Sequence, residues 1–141
     1  MCGFVGCFGK VDERLKDSGL SIIHRGPDEQ KYSEGADWSI QFNRLSIIDL
    51  SKKAMQPFSF DGVDVYLNGE IYNYIELREK YRKEFSPITS SDVEIVPYLY
   101  RKFGIDFLNH LNGMFSMVII DNLNGKKYLI RDRFGKKPLY Y

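Results

Sequence analysis

Residues 114–120 are apolar at every position except Ser116, and no other stretch restricts the fold as strongly. A strand that is hydrophobic on both of its faces has to be covered on both, so the sheet that carries it lies in the interior. Asn124-Gly125 follows closely. It is the strongest hairpin signal in the chain, and it joins the apolar strand to a second one through Tyr128, Leu129 and Ile130.

Alternating elements precede this hairpin, with no repeats, linkers or low-complexity tracts. Phe4 to Phe8 reads as a first strand. Asp12 to Ile23 places Leu15, Gly19, Ile22 and Ile23 on one helical face and stops before the Gly26-Pro27 breaker. Trp38, Ile40 and Phe42 alternate with polar neighbours as a half-buried strand, and Val63, Val65 and Leu67 repeat the pattern. Asn73 stands three residues ahead of Glu76, a capping-box spacing for a helix through about Tyr81. Ser91 and Glu94 repeat it ahead of a stripe of Val93, Val96, Tyr100 and Phe103, with Gly104 placed to cap the C-terminus. Pro97 should kink that helix or shift its start. Pro138 to Tyr141 reads as the beginning of another strand.

A chain of 141 residues is long enough for one core and short for two. Ten Tyr and ten Phe suit a sheet-rich interior. A formal net charge of +1 with acids and bases intermixed provides no long-range field for nucleic acid or an anionic membrane. Two cysteines, Cys2 and Cys7, are too few for a disulfide framework and point to a reducing, cytoplasmic setting. No secretory leader precedes Cys2, and no run approaches the roughly 20 apolar residues of a membrane span.

The segments with chemical potential are short and polar. Removing Met1 would place a thiol and a free α-amine on Cys2, and an α-amine titrates near ~7.7–8.0, so such a residue carries its own general base. The alternative for Cys2 is a strand start, since free cysteine is among the most buried residue types. Asn68-Gly69-Glu70 follows an alternating strand and has the composition of a turn. It also offers an amide donor and an unobstructed N–H, which an oxyanion hole requires, beside a carboxylate suited to an ammonium group. Arg44 is either a surface charge or a planar receptor for a small carboxylate. His24-Arg25-Gly26-Pro27-Asp28 is rigid and charged and fits a purely structural role equally well. Asp92 is placed to serve a helix N-terminus or a substrate amine.

Taken together these segments resemble the class II glutamine amidotransferases, the N-terminal-nucleophile glutaminases, and within them the glutaminase half of asparagine synthetase. The resemblance runs from Met1-Cys2-Gly3 through Arg25-Gly26-Pro27-Asp28, Arg44-Leu45-Ser46-Ile47, Asn68-Gly69-Glu70-Ile71-Tyr72-Asn73, Ser91-Asp92 and Gly113-Met114-Phe115 to Arg131-Asp132-Arg133-Phe134-Gly135-Lys136-Lys137-Pro138-Leu139-Tyr140-Tyr141.

The resemblance implies an α+β fold, a four-layer αββα sandwich of N-terminal-nucleophile hydrolase type. It also implies that residues 1–141 form one glutaminase domain shortened at its C-terminus, as a fragment or as a stand-alone subunit. Cys2 would be the nucleophile, Asn68 and Gly69 the oxyanion donors, Arg44 the partner of the glutamine carboxylate, and Glu70 and Asp92 the partners of its amine. No cofactor is expected in this chain; ATP and magnesium would belong to a synthetase domain, absent here and supplied by a longer chain or a separate protein. Ammonia would serve an asparagine synthetase-type amidation. A sugar acceptor, or an inactive glutamine-binding module, remains open at this point. An open aromatic edge near Tyr141 would favour pairing with another chain, as in a homodimer. Phe42 stands where many relatives have histidine.

Overall fold

Strand β3 (Trp38–Arg44) is buried at all seven positions, and its two faces explain why. The computed structural model describes residues 2–9, 11 and 14–141; the expected start of the first helix at Asp12 and Glu13 lies outside them. Two compact units, Met1–Ile47 and Ile48–Tyr141, each hold one antiparallel sheet, and three α-helices complete an α+β architecture among the described residues.

In the first unit β3 lies between β1 (Gly3–Phe8) and β2 (Glu29–Glu34), antiparallel to both. Helix α1 (Leu15–Ser21) packs on β1 and β3. The polar face of β3 turns to this helix, where the Asn43 carboxamide donates to the Gly19 carbonyl at 2.7 Å and receives Gln41 Nε2 at 3.4 Å. Trp38, Ile40 and Phe42 line the other face and are also buried. The expected half-buried strand is therefore fully buried, because paired amides allow its polar side to leave water.

In the second unit the order is β4 (Phe58–Phe60), β5 (Val63–Ile71), β6 (Gly113–Asp121), β7 (Lys126–Arg131). One face of β5 and β6 sets Val63, Val65, Leu67, Ile71, Phe115, Met117 and Ile119 into the core with Leu77, Ile95 and Leu99. The other face of β6, Ser116, Val118 and Ile120, is buried too, as the apolar run demanded. Helix α2 (Tyr74–Lys80) contributes Leu77, and α3 (Val96–Phe103) contributes Leu99. Pro97 sits in the first turn of α3, after a 3-10 turn at Asp92–Ile95, where its missing N–H has no intrahelical partner to lose; it shifts the helix start.

Several local expectations yield to long-range bonds. The Asn73 side chain caps nothing; it donates to the His110 carbonyl and accepts the Asn112 N–H, each at 2.9 Å. Ser91 does accept from Val93 N at 3.4 Å, but Glu94 turns away to the N–H groups of Ile88 and Thr89 and to Arg78. The β6–β7 hairpin has a four-residue loop, because Asp121 pairs with Lys126. Residues 138–141 form no strand: they follow a turn organised by Asp132, and Pro138 has no N–H for a ladder.

The Asp132 carboxylate receives the N–H groups of Phe115, Phe134, Lys136 and Lys137 at 2.9–3.2 Å. Burial pushes its carboxyl up, but these four donors outweigh burial and hold it below the ordinary carboxylate value. A depressed folded value stabilises above the unfolded pKa of ~3.9 and is lost as pH falls through the folded one. Asp132→Ala should therefore cost about 3 kcal/mol at pH 7. Thermal melts should show the gap from wild type narrowing as the pH is lowered below ~3.9; a gap independent of pH would remove the carboxylate from this role.

Candidate active site

Two of the six expected site residues lie in the first unit. Gly3 pairs with Asn43, so Cys2, one residue earlier, falls beside the end of β3 where Arg44 sits. Its Sγ accepts the Leu45 N–H at 3.4 Å and approaches the Leu45 carbonyl at 3.7 Å. Cys2 is half-buried, and Met1 lies outside the described residues. Arg44 is only 4% exposed, which excludes the simple surface charge. Glu29, its cross-strand partner on β2, receives Nη1 at 3.2 Å. Gly26 rests on the Asn43–Arg44 peptide so closely that a Cβ there would come within 2.2 Å of the Asn43 carbonyl. The His24 to Asp28 segment is thus a brace for the end of β3.

The other four lie in the second unit. Asn68-Gly69-Glu70 is not a turn: it continues β5 in register with Ser116, Phe115 and Met114. Gly69 has φ +151, and a Cβ would stand 1.9 Å from the Met114 carbonyl oxygen, so only glycine fits. Successive N–H groups of a strand alternate in direction. Val63 and Val65 pair with β4. Beyond the end of β4, the Leu67 N–H donates to Gln56 Oε1 at 2.6 Å and the Ile71 N–H to Asp92 Oδ2 at 2.7 Å. The alternation places the Gly69 N–H on the same edge, between these two occupied donors.

Asn68 is 6% exposed, and its Oδ1 has no hydrogen-bond partner among the described residues. An unsatisfied buried polar atom costs about 1–3 kcal/mol, so the pairing of this amide is incomplete. Asp92 is also buried. Burial pushes its carboxyl above the ordinary range; the Ile71 N–H works against that and the nearby Glu70 charge adds to it. Two neighbouring carboxylates, one already costly to ionise, form a place where a cation is favoured. Asp92 ties its 3-10 turn to β5, while Ser91 does the capping.

Glu29 and Gln56 escaped the sequence reading, and only the residues they meet in three dimensions reveal them. Gln56 would oppose Leu67 if β4 continued; its carboxamide substitutes for main chain there, donating to the Leu67 carbonyl at 3.1 Å and accepting its N–H. Phe42 is fully buried, opposite Phe4 on β1.

The first unit thus brings Cys2 to the end of β3 that carries Arg44, and the second sets an obligate glycine between a buried amide and two carboxylates. The family model described as "Glutamine amidotransferase domain" matches residues 1–141, and the chain belongs to that family. It is 40% identical to asparagine synthetase [glutamine-hydrolyzing] 2 of Bacillus subtilis, over 100% of this chain and 20% of that protein. It is 37% identical to a putative asparagine synthetase [glutamine-hydrolyzing] 2 of Methanocaldococcus jannaschii, over 100% of this chain and 32% of that protein. It is 39% identical to amidase chry2 of Gibberella zeae, over 94% of this chain and 20% of that protein. The chain thus spans between a fifth and a third of the length of these relatives. No helix among the described residues is long and apolar enough to cross a membrane.

Proposed function

We propose that this domain hydrolyses glutamine to glutamate and ammonia through a thioester on Cys2, once Met1 has been removed. The observation that carries the reading is the run on β5 in which a buried amide, a glycine no other residue can replace and a carboxylate follow one another. The Cys2 thiol gives its proton to the α-amine of the same residue as its sulfur attacks the side-chain amide carbon. Asn68 Nδ2 and the Gly69 N–H hold the oxyanion. Collapse expels ammonia, which takes that proton, and water then cleaves the γ-glutamyl thioester to glutamate and the free thiol. Arg44, kept in place by Glu29, receives the α-carboxylate; Glu70 and Asp92 receive the α-ammonium. None of these steps calls for a cofactor. The ammonia serves an asparagine synthetase-type amidation carried out by another region or chain, where ATP and magnesium would act; the relatives named asparagine synthetase support this acceptor.

Asn68→Ala tests the core of the reading. It should lower kcat by about 10²–10³ with little change in KM, measured as glutamate release. A rise in KM alone would make Asn68 a ground-state contact and refute the assignment.

Asp92 adds a pH signature. A carboxylate pairs with the substrate ammonium only when ionised, and burial makes that ionisation harder. Glutamine affinity should therefore fall as the pH drops through the raised Asp92 pKa, and glutamine binding in that range should release a proton. In Asp92→Asn the affinity should be weaker throughout and this acid limb absent from its wild-type midpoint, read by calorimetry in buffers of different ionisation enthalpy. Because Glu70 still titrates in Asp92→Asn, the deciding result is the limb's position: an acid limb of unchanged midpoint and size in Asp92→Asn would remove Asp92 from the amine site.

A further inference from the structure

Asp28, exposed on the brace before β2, touches two successive peptides of the Arg44 to Ser46 segment. Its main-chain N–H donates to the Arg44 carbonyl at 3.1 Å, and its Oδ2 accepts the Ser46 N–H at 2.7 Å. Cys2 Sγ engages the complementary ends of the same two peptides. The Leu45 N–H, which shares a peptide unit with the Arg44 carbonyl, points to sulfur at 3.4 Å. The Leu45 carbonyl, which shares one with the Ser46 N–H, lies 3.7 Å from it. The segment is therefore held by Asp28 on one side and offered to the thiol on the other.

We propose that Asp28 is a positioning residue for the Cys2 thiol, acting through the Leu45 main chain. The bond to the Arg44 carbonyl comes from the main chain of residue 28 and survives any side-chain change; the Asp28 carboxylate acts by pinning the Leu45–Ser46 peptide through the Ser46 N–H, and so fixes the direction in which the adjoining Leu45 N–H points. The shorter of the two contacts to sulfur is this N–H, and a donor to sulfur favours the thiolate because charge-assisted bonds are the stronger ones. The longer contact uses a thiol S–H, a weak donor. With both peptides fixed, sulfur is held at one position and the thiolate is favoured there. Other charged groups act on it within this unit: the α-amine of Cys2, Arg44 at the end of β3 with Glu29 on β2, Arg25 beneath Gly3, and the Asp28 carboxylate itself. That last charge opposes thiolate formation, so its direct field and its bonding role pull the thiol titration in opposite directions. The sign of the shift separates them.

The significance of the cradle rests on Cys2 being the nucleophile, whereas its test needs no glutamine. The rate of alkylation of Cys2 by iodoacetamide is followed against pH by intact mass, on chain shown to begin at Cys2 and on a Cys7→Ser background, with thermal melts as the control for folding. Asp28→Ala should raise the midpoint by about one pH unit, seen as about tenfold slower alkylation below it, since the thiolate is the reacting form. Asp28→Asn keeps an acceptor for the Ser46 N–H and should restore most of the rate. If Asp28→Ala fails to fold, Asp28→Glu serves: it keeps the charge but displaces the acceptor by one methylene, so the midpoint should still rise. A midpoint that is unchanged or lowered in Asp28→Ala, or unchanged in Asp28→Glu, overturns the proposal. Wild-type chain that hydrolyses no glutamine yet shows these shifts would defeat the glutaminase reading and leave the cradle standing.

Discussion

Cys2→Ala will give a folded protein that binds glutamine and turns over none of it, with a loss of about 10⁴-fold or more against wild type. The residue is half-buried just before β1, its sulfur contacts to Leu45 are weak, and the substitution only removes sulfur. Binding rests on other groups, Arg44, Glu70 and Asp92, so calorimetry with the alanine variant should return a heat of binding while glutamate release is absent. Chain that keeps Met1 should behave in the same way, because its Cys2 nitrogen is a peptide nitrogen and cannot take the thiol proton. Intact mass paired with the assay checks this. Full turnover by Met1-bearing chain, or measurable turnover by Cys2→Ala, would end the nucleophile assignment.

Gly69→Ala should be the most damaging single methyl group in the second unit. The added carbon would meet the Met114 carbonyl at 1.9 Å and the Phe115 Cα at 2.7 Å, both of them backbone, and the φ of +151 is itself unfavourable for a residue with a side chain. Neither β5 nor β6 can give way without opening the ladder at the centre of the sheet, so we expect a cost of about 3 kcal/mol or more. Gly104 offers a control. Its φ and ψ, +58 and −147, also suit only glycine, but a Cβ there meets nothing within 4 Å, so Gly104→Ala should cost the backbone strain alone, about 1–3 kcal/mol. Denaturant unfolding of the two variants gives the comparison; equal losses would mean that backbone strain, and not the close strand approach, accounts for the glycine at 69.

The legible parts of this fold were those where hydrophobicity alone decides. The run at 114–120 announces a strand covered on both faces, and Pro97 announces a kink or a shifted helix start, of which the second is found. Strand β2 escaped because Glu29 to Glu34 is mostly polar and pairs along one side only, so no apolar alternation marks it. Asn68-Gly69-Glu70 read as a turn because Asn-Gly is turn chemistry, whereas its conformation is imposed by β6, some 45 positions away in the chain. Asn73 and Glu94 had correct capping spacings and were drawn off by distant main-chain groups. The identities of Cys2, Arg44, Asn68, Gly69, Glu70 and Asp92 came from motif resemblance. Glu29, Gln56 and the bracing role of Asp28 needed coordinates, since each acts on a neighbour that no local pattern indicates.

The side chains along the β5 edge have a consequence for how this domain coexists with other proteins. A bare strand margin is a template on which any extended peptide can build. Here Gln56 takes both the N–H and the carbonyl of Leu67, and Asp92 takes the N–H of Ile71. A foreign strand would have to evict both to gain a foothold. The edge is thereby closed to a pairing strand without any loss of its own hydrogen bonds.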